Sequence, residues 1–187
     1  FVRYLLGRFI ANSGQQMFVM AVGWEIYERT GSAMALGLVG LTQVIPMFLL
    51  TLPAGHFADN HSRKRIIMVT VSITALANVG LAVISAASAP VVLMYLCLFV
   101  SSSARTFGGA AIASFLPQLV ERQMFSRAVT WNSGMFQLSS IVGPALGGIL
   151  VVAFGHLAWP IYVLNSLAAL SFCALLGSIK VQQVIAL

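Results

Sequence analysis

Long uncharged stretches, broken by short charged punctuation, dominate this 187-residue chain. Uncharged runs cover 9–24, 30–58, 66–104, 106–120 and 128–179. A bilayer core about 30 Å thick asks for about 20 apolar residues per helical span. The runs 66–104 and 128–179 exceed one span each and must fold back within themselves. Polar or proline-bearing turns divide them: Glu28–Ser32, Asp59–Arg65, Ser88-Ala89-Pro90 and Gly155-His156, with Pro160 suited to a first helical turn. Six spans follow, at about 5–27, 34–58, 66–86, 91–114, 128–154 and 160–178. Barrel strands would alternate apolar and polar residues, and these segments are apolar all round. The expected fold is an all-α membrane protein, a six-helix bundle over residues 1–187.

Composition strengthens the pattern. Charged residues make up 7% of the chain and apolar residues 59%, too little charge to cover a water-facing surface. Arg3 and Arg8 before an apolar stretch resemble a secretory signal, but Asn12, Gln15 and Gln16 interrupt the apolar region, so a retained first helix is expected. The first residue is Phe1 rather than Met, which points to a missing natural beginning. Cys97 and Cys173 sit inside apolar spans and behave as small hydrophobes.

The basic residues are topological markers. With both ends on one side, that side holds Arg3, Arg8, Arg63, Lys64, Arg65, Arg122, Arg127 and Lys180, and the other holds Arg29 alone. This bias predicts a multi-pass protein of the cell membrane with both termini cytoplasmic. It also accounts for the net charge of +6 without nucleic acid, as anchors near anionic lipid. Trp24, Tyr27, Trp131 and Trp159 fall near span ends, as an aromatic belt requires.

Three motifs add a resemblance. Gly55-His56-Phe57-Ala58-Asp59-Asn60-His61-Ser62-Arg63-Lys64-Arg65 joins the second and third spans. Gly55 would let a neighbouring backbone approach, Asp59 would cap a helix or meet a dipole, and the basic trio would stay in water. Gly143-Pro144-Ala145-Leu146-Gly147-Gly148 in the fifth span offers small residues for close helix contact and a proline that permits a bend. Arg105-Thr106-Phe107-Gly108-Gly109 lies in the fourth. In this order the three resemble the major facilitator superfamily: its loop G-x-x-x-D-R-x-G-R-K, its exporter motif G-P-x-x-G-G and its R-x-x-Q-G element. Asn60, Ser62, Ser139 and Gly108 depart from those patterns. Thr30-Gly31-Ser32 and Leu116–Val120 further resemble the drug and siderophore exporters related to the enterobactin exporter. The resemblance implies the N-terminal half of a twelve-helix transporter, built from two inverted three-helix repeats. Its partner would be a C-terminal six-helix half or a second copy. The implied activity is proton-coupled efflux of a small molecule by alternating access. Each motif also has a plainer reading, as a positive-inside loop or a generic packing face.

Arg105 carries its own argument. A central arginine costs at least a few kcal/mol on insertion scales and must face a partner or a water-filled cavity. It lies about 14 residues, roughly 21 Å, from the outer end of its span. Gln15 and Gln16 reach nearly that level, and Asn12, Gln15 and Gln16 read as one helix face. Glu25, near the outer end, reads as an interfacial anchor rather than a proton carrier. The resemblance puts the first, second, fourth and fifth helices around the cavity, which adds Gln43 and Asn132. Such an arginine could attract an anionic substrate or tune a coupled proton, or it could bond backbone carbonyls and shape the bundle.

Other classes fit poorly. A membrane-embedded serine protease needs a G-x-S-G turn and a histidine at depth. Asn132-Ser133-Gly134 has Trp131 before it, and His56, His61 and His156 sit at span ends. Four acidic residues and no H-E-x-x-H leave no metal-ligand set, and no cofactor is implied. An accessory or scaffold subunit without transport of its own is the remaining alternative.

Overall fold

The computed structural model describes residues 2–119 and 125–177, and these form six α-helices. They are α1 (Val2–Thr30), α2 (Ala33–Asn60), α3 (Arg63–Ala86), α4 (Val91–Leu119), α5 (Phe125–Ala153) and α6 (Trp159–Gly177). Arg122 and Lys180, two of the expected basic markers, lie outside the described residues. The helices run further than the apolar spans, most clearly at the end of α4 and the start of α5. A helix of 29 residues, such as α1, is about 43 Å long, well beyond the about 30 Å of hydrocarbon. Apolar composition marks the lipid slab, whereas backbone hydrogen bonding continues through the charged flanks.

Local chemistry sets the breaks. Gly31, at φ +60°, ends α1 with its N–H on the Tyr27 carbonyl at 2.8 Å, a conformation glycine adopts without steric cost. Ser32 and Ser62 cap α2 and α3, their hydroxyls accepting from Ala35 N at 3.4 Å and Arg65 N at 3.5 Å. Gly155 and His156, both at φ +64°, end α5, and the His156 ring stacks on Trp24 with centroids 5.7 Å apart.

Helices α2 to α6 are each long and apolar enough to cross a membrane. α1 is diluted by Arg8, Asn12, Gln15, Gln16 and Glu25, and it lies inside the bundle, packed on α5 and α6. Contacts from Phe9 to Ser139, Gln16 to Gly143 and Met17 to Gly147 run α1 and α5 parallel. Gly7 against Phe172 and Gly14 against Asn165 set α6 antiparallel to α1. α2 and α4 are parallel, through the Tyr95 hydroxyl on Ala35 O at 2.8 Å and the Ser102 hydroxyl on Gln43 O at 2.7 Å. α3 packs on α4 and α6. Exchanging α1 with α4, α2 with α5 and α3 with α6 preserves the main pairings: α1–α5 maps onto α4–α2, and α1–α6 onto α4–α3.

Two apolar cores hold the bundle. The larger, at the end of the α1–α2 turn, joins Phe18, Val22, Ile26, Leu81, Met94, Leu98, Ile161 and Tyr162. The smaller, at the end of the α2–α3 turn, joins Tyr4, Ile66, Ile67, Ala111, Phe172 and Leu176. Lipid is as apolar as these side chains, so close packing and hydrogen bonds, not water exclusion, drive their association.

Candidate functional site

Between the two cores lies a polar layer. A cleft of about 470 Å³ opens there, lined from five helices. α1 supplies Arg8, Asn12 and Gln15, α3 Thr70 and Thr74, α4 Arg105, α5 Asn132 and Phe136, and α6 Asn165 and Phe172. Residues 8, 11, 12 and 15 fall on one side of α1 because a helix returns to the same face every three to four residues. α1 is therefore amphipathic in an inverted sense, with its polar stripe turned toward the other helices.

The sequence-derived cavity residues divide. Arg105, Asn12, Gln15 and Asn132 share the cleft. Gln16 does not belong with them. About 100° around the helix from Gln15 and about 40° from Asn12, it sits at the edge of the stripe and packs on α5, where a Cβ added to Gly143 would sit 2.4 Å from its own Cβ. Gln43 lines a separate groove of about 490 Å³ between α2 and α4, with Met47, Thr51, Ser102 and Thr106. Arg105 and Gly109 border both spaces. The arginine is thus the link between the α1 side and the α2 side of the polar layer.

Two cleft residues were read differently from the sequence: Arg8 as a surface marker, and Asn165 as a polar residue that either lines the cavity or ties helices together. Arg8, assigned to the topological anchors, lines the cleft, with its guanidinium carbon 6.0 Å from the centroid of the Tyr4 ring. Asn165 is 3% exposed and packs on Gly14. The i, i+4, i+7 stripe Arg8, Asn12, Gln15 was the available signal for Arg8; for Asn165 it was a lone amide within an apolar span.

Hydrogen bonding decides which groups remain for a ligand. The hydroxyls of Thr70 and Thr74 donate to Ile66 O at 2.8 Å and Thr70 O at 2.9 Å, so they serve their own helix. Arg8 Nε, Gln15 Nε2 and Asn165 Nδ2 are buried and make no hydrogen bond among the described residues. The cleft lining holds two guanidiniums and no carboxylate. It is a cationic, donor-rich space with apolar walls from Phe136, Ile112, Val71 and Phe172.

A second polar cluster surrounds Glu25, which is 5% exposed. Tyr162 donates to its Oε2 at 2.5 Å, and Arg29 Nη2 lies 2.7 Å from its Oε1. Arg29 also donates to Ser85 O at 2.9 Å and Ala89 O at 3.0 Å at the end of α3. One carboxylate therefore ties α1 to α6 and, through Arg29, to α3.

The loop motif is read differently as well. No atom lies within 4 Å of a Cβ built on Gly55, so no backbone approaches it among the described residues. Asp59 is exposed in the last turn of α2, and Ser62, not Asp59, caps α3. An acid at a helix C-terminus and Arg63 and Lys64 at an N-terminus all oppose the helix dipoles. Lys64 donates to Gly177 O at 3.1 Å, meeting one free carbonyl at the end of α6. In the exporter-like motif, Gly143 and Gly147 face α1: added Cβ atoms would meet Ser13 O at 2.9 Å and Met17 Cα at 3.2 Å. Gly148 faces Met20, and Pro144 lies inside α5. Ser139 uses its hydroxyl to donate to Met135 O at 2.8 Å and Phe9 O at 3.3 Å.

Six helices, a half-buried polar stripe on α1 and small-residue contact between α1 and α5 make this a polytopic membrane bundle. The chain belongs to the transmembrane secretion effector family of the major facilitator superfamily, matching it over residues 2–185. Among curated relatives, the multidrug efflux pump Tap of Mycobacterium tuberculosis is 27% identical over 179 residues, covering 91% of this chain and 43% of the pump. Macrolide efflux protein A of Streptococcus pyogenes is 27% identical over 164 residues, 87% of this chain and 38% of the relative. The staphyloferrin A transporter of Staphylococcus aureus is 25% identical over 151 residues, 78% and 37% respectively. The chain spans about two-fifths of the length of these relatives.

Proposed function

We propose that this chain is one half of a secondary transporter that exports a small molecule, with the cleft around Arg105 as its share of the substrate path. The observation that carries the reading is the polar layer at mid-height between two apolar cores. A bundle serving only as a scaffold has no use for unpaired donors and a mid-span arginine such as Arg105, which is costly in hydrocarbon. The names of the relatives support a drug-like or siderophore-like cargo and the outward direction.

The remaining half is a C-terminal six-helix unit or a second copy of this chain. Alternating access then comes from rocking one half about the midplane site against the other. The symmetry of the helix pairings supports two three-helix units within the half, and a unit that crosses three times leaves its successor inverted. The lysine and arginine bias puts the α2–α3 turn and both termini in the cytoplasm, in the cell membrane. There Gly55, Asp59, Arg63 and Lys64 act as a conformational loop, and Gly143, Pro144, Gly147 and Gly148 fix α5 on α1. Export against a gradient draws on protons.

The test is drug accumulation in cells lacking their own efflux pumps, expressing the chain alone or two copies joined by a linker. Lower accumulation of a macrolide or ethidium is expected for a transporting form, reversed by a protonophore and abolished by Arg105→Ala at equal membrane abundance. Unchanged accumulation with both forms refutes transport by this chain or its dimer. Accumulation lowered equally by the Arg105→Ala variant refutes the role of the cleft.

A further inference from the structure

We infer that the cleft is an anion site: it takes a small molecule with an apolar body and a carboxylate or similar oxyanion, held between Arg8 and Arg105. The inference rests on the cleft being a binding site, as proposed above, and it adds the chemistry of the ligand.

Charge is the first ground. Arg8 and Arg105 both line the space, and no aspartate, glutamate or histidine lines it with them. The single ion pair among the described residues, Glu25 with Arg29, belongs to the separate cluster joining α1, α3 and α6. Two like charges facing one cleft repel each other, and an anion between them reverses the sign of that term. Guanidiniums present forked donors that match a carboxylate geometrically, which an ammonium does not.

Hydrogen-bond inventory is the second ground and is independent of charge. Arg8 Nε, Gln15 Nε2 and Asn165 Nδ2 are all donors, all buried, and all without a partner among the described residues. Their residues line the same cleft. A buried donor left without an acceptor is destabilising. An acceptor with several lone pairs would meet these three donors together, and a carboxylate offers about four such sites. A cationic ligand would supply further donors and repulsion, and a neutral hydrocarbon would leave all three donors unmet. Meanwhile Phe136, Ile112 and Phe172 give an aromatic or aliphatic body its contact surface.

The same chemistry has a second source, an acidic side chain from the half that covers the cleft. The experiment separates the two. Equilibrium binding is measured to the chain in neutral-lipid nanodiscs with three probes of one shape: 1-naphthoate, 1-naphthamide and 1-naphthylmethylammonium. The expected order is naphthoate tightest, by about 10-fold or more over the amide, as loss of a charged hydrogen bond predicts. Arg105→Gln and Arg8→Gln should each weaken naphthoate by a similar factor and leave naphthamide unchanged. Arg127→Gln, an exposed charge outside the cleft, should change nothing. Naphthoate no tighter than the other probes, including no binding of any, overturns the inference. So does binding that ignores both arginine changes. Repeating the titration with the linked two-copy form locates the anion. Naphthoate binding lost on covering the cleft gives the anion to the second half, which overturns the ligand assignment; binding retained supports it. Arginine-dependent naphthoate binding without any efflux leaves the inference standing and removes only the transport reading.

Discussion

Replacing Glu25 probes the buried carboxylate that ties α1 to α6. Its carboxylate accepts from the Tyr162 hydroxyl at 2.5 Å and pairs with Arg29 at 2.7 Å. In Glu25→Ala the hydroxyl of Tyr162, a residue with 0% exposure, loses its acceptor, at a cost of about 1–3 kcal/mol. Arg29 suffers less. Its side chain is 20% exposed and keeps the carbonyls of Ser85 and Ala89, so the lost ion pair adds about 1 kcal/mol or less. The sum is about 1–4 kcal/mol, and a chain of this size shifts its melting midpoint by about 2–4 °C per kcal/mol. Glu25→Gln keeps an acceptor for Tyr162 and should cost only about 1 kcal/mol. The decisive variant is the double one. Tyr162→Phe destabilises the native background, but in Glu25→Ala it removes an orphaned hydroxyl and should restore part of the loss. Thermal unfolding of the four proteins in one detergent–lipid mixture reads this cycle. If Tyr162→Phe lowers the midpoint equally in both backgrounds, the bond contributes nothing and the argument fails.

Three further outcomes follow from the packing. Gly143→Ala puts a methyl 2.4 Å from Gln16 Cβ and should cost about 1–3 kcal/mol by overpacking, whereas Gly148→Ala meets only Met20 Cε at 3.6 Å and should be nearly neutral; equal midpoints for the two would contradict the α1–α5 contact. Asn78 has 0% exposure and neither side-chain atom is hydrogen-bonded among the described residues, so Asn78→Leu should stabilise by about 1 kcal/mol or more, and a lower midpoint would indicate an unseen partner. In a background without Cys97 and Cys173, His61→Cys should resist an impermeant thiol reagent in intact cells while Glu28→Cys is labelled; the opposite pattern would invert the proposed topology.

The bundle was legible in the sequence because lipid leaves few choices: uncharged runs of span length must be helices, and short polar turns between them make neighbours antiparallel. Helix ends were less legible. Apolar composition stops at the membrane surface, yet α3 begins at Arg63 within the charged loop. Long-range polar pairing was the least accessible part. Glu25 and Arg29 stand i, i+4, the spacing of an ion pair along one helix. Burial of that pair depends on Tyr162, 137 residues away, and no local pattern connects them.

Arg8 shows how charge counting and helical periodicity compete for the same residue. A basic residue close to a span end counts toward the positive-inside bias, and that count is correct on average. But α1 starts at Val2, which sets Arg8 about 9 Å along the helix at 1.5 Å per residue, near enough to the surface to count as a marker and still part of the cleft lining. Its partners in the stripe, Asn12 and Gln15, then decide its direction: a helix cannot turn residues 12 and 15 into the bundle while turning residue 8 outward. Gln16 marks the edge of that rule: i,i+4 from Asn12, about 40° around the helix, it still packs on α5 at Gly143 instead of lining the cleft. Periodicity therefore outranks charge counts when the residues of a polar membrane cleft are assigned, and at the edge of the stripe the contact with the neighbouring helix decides.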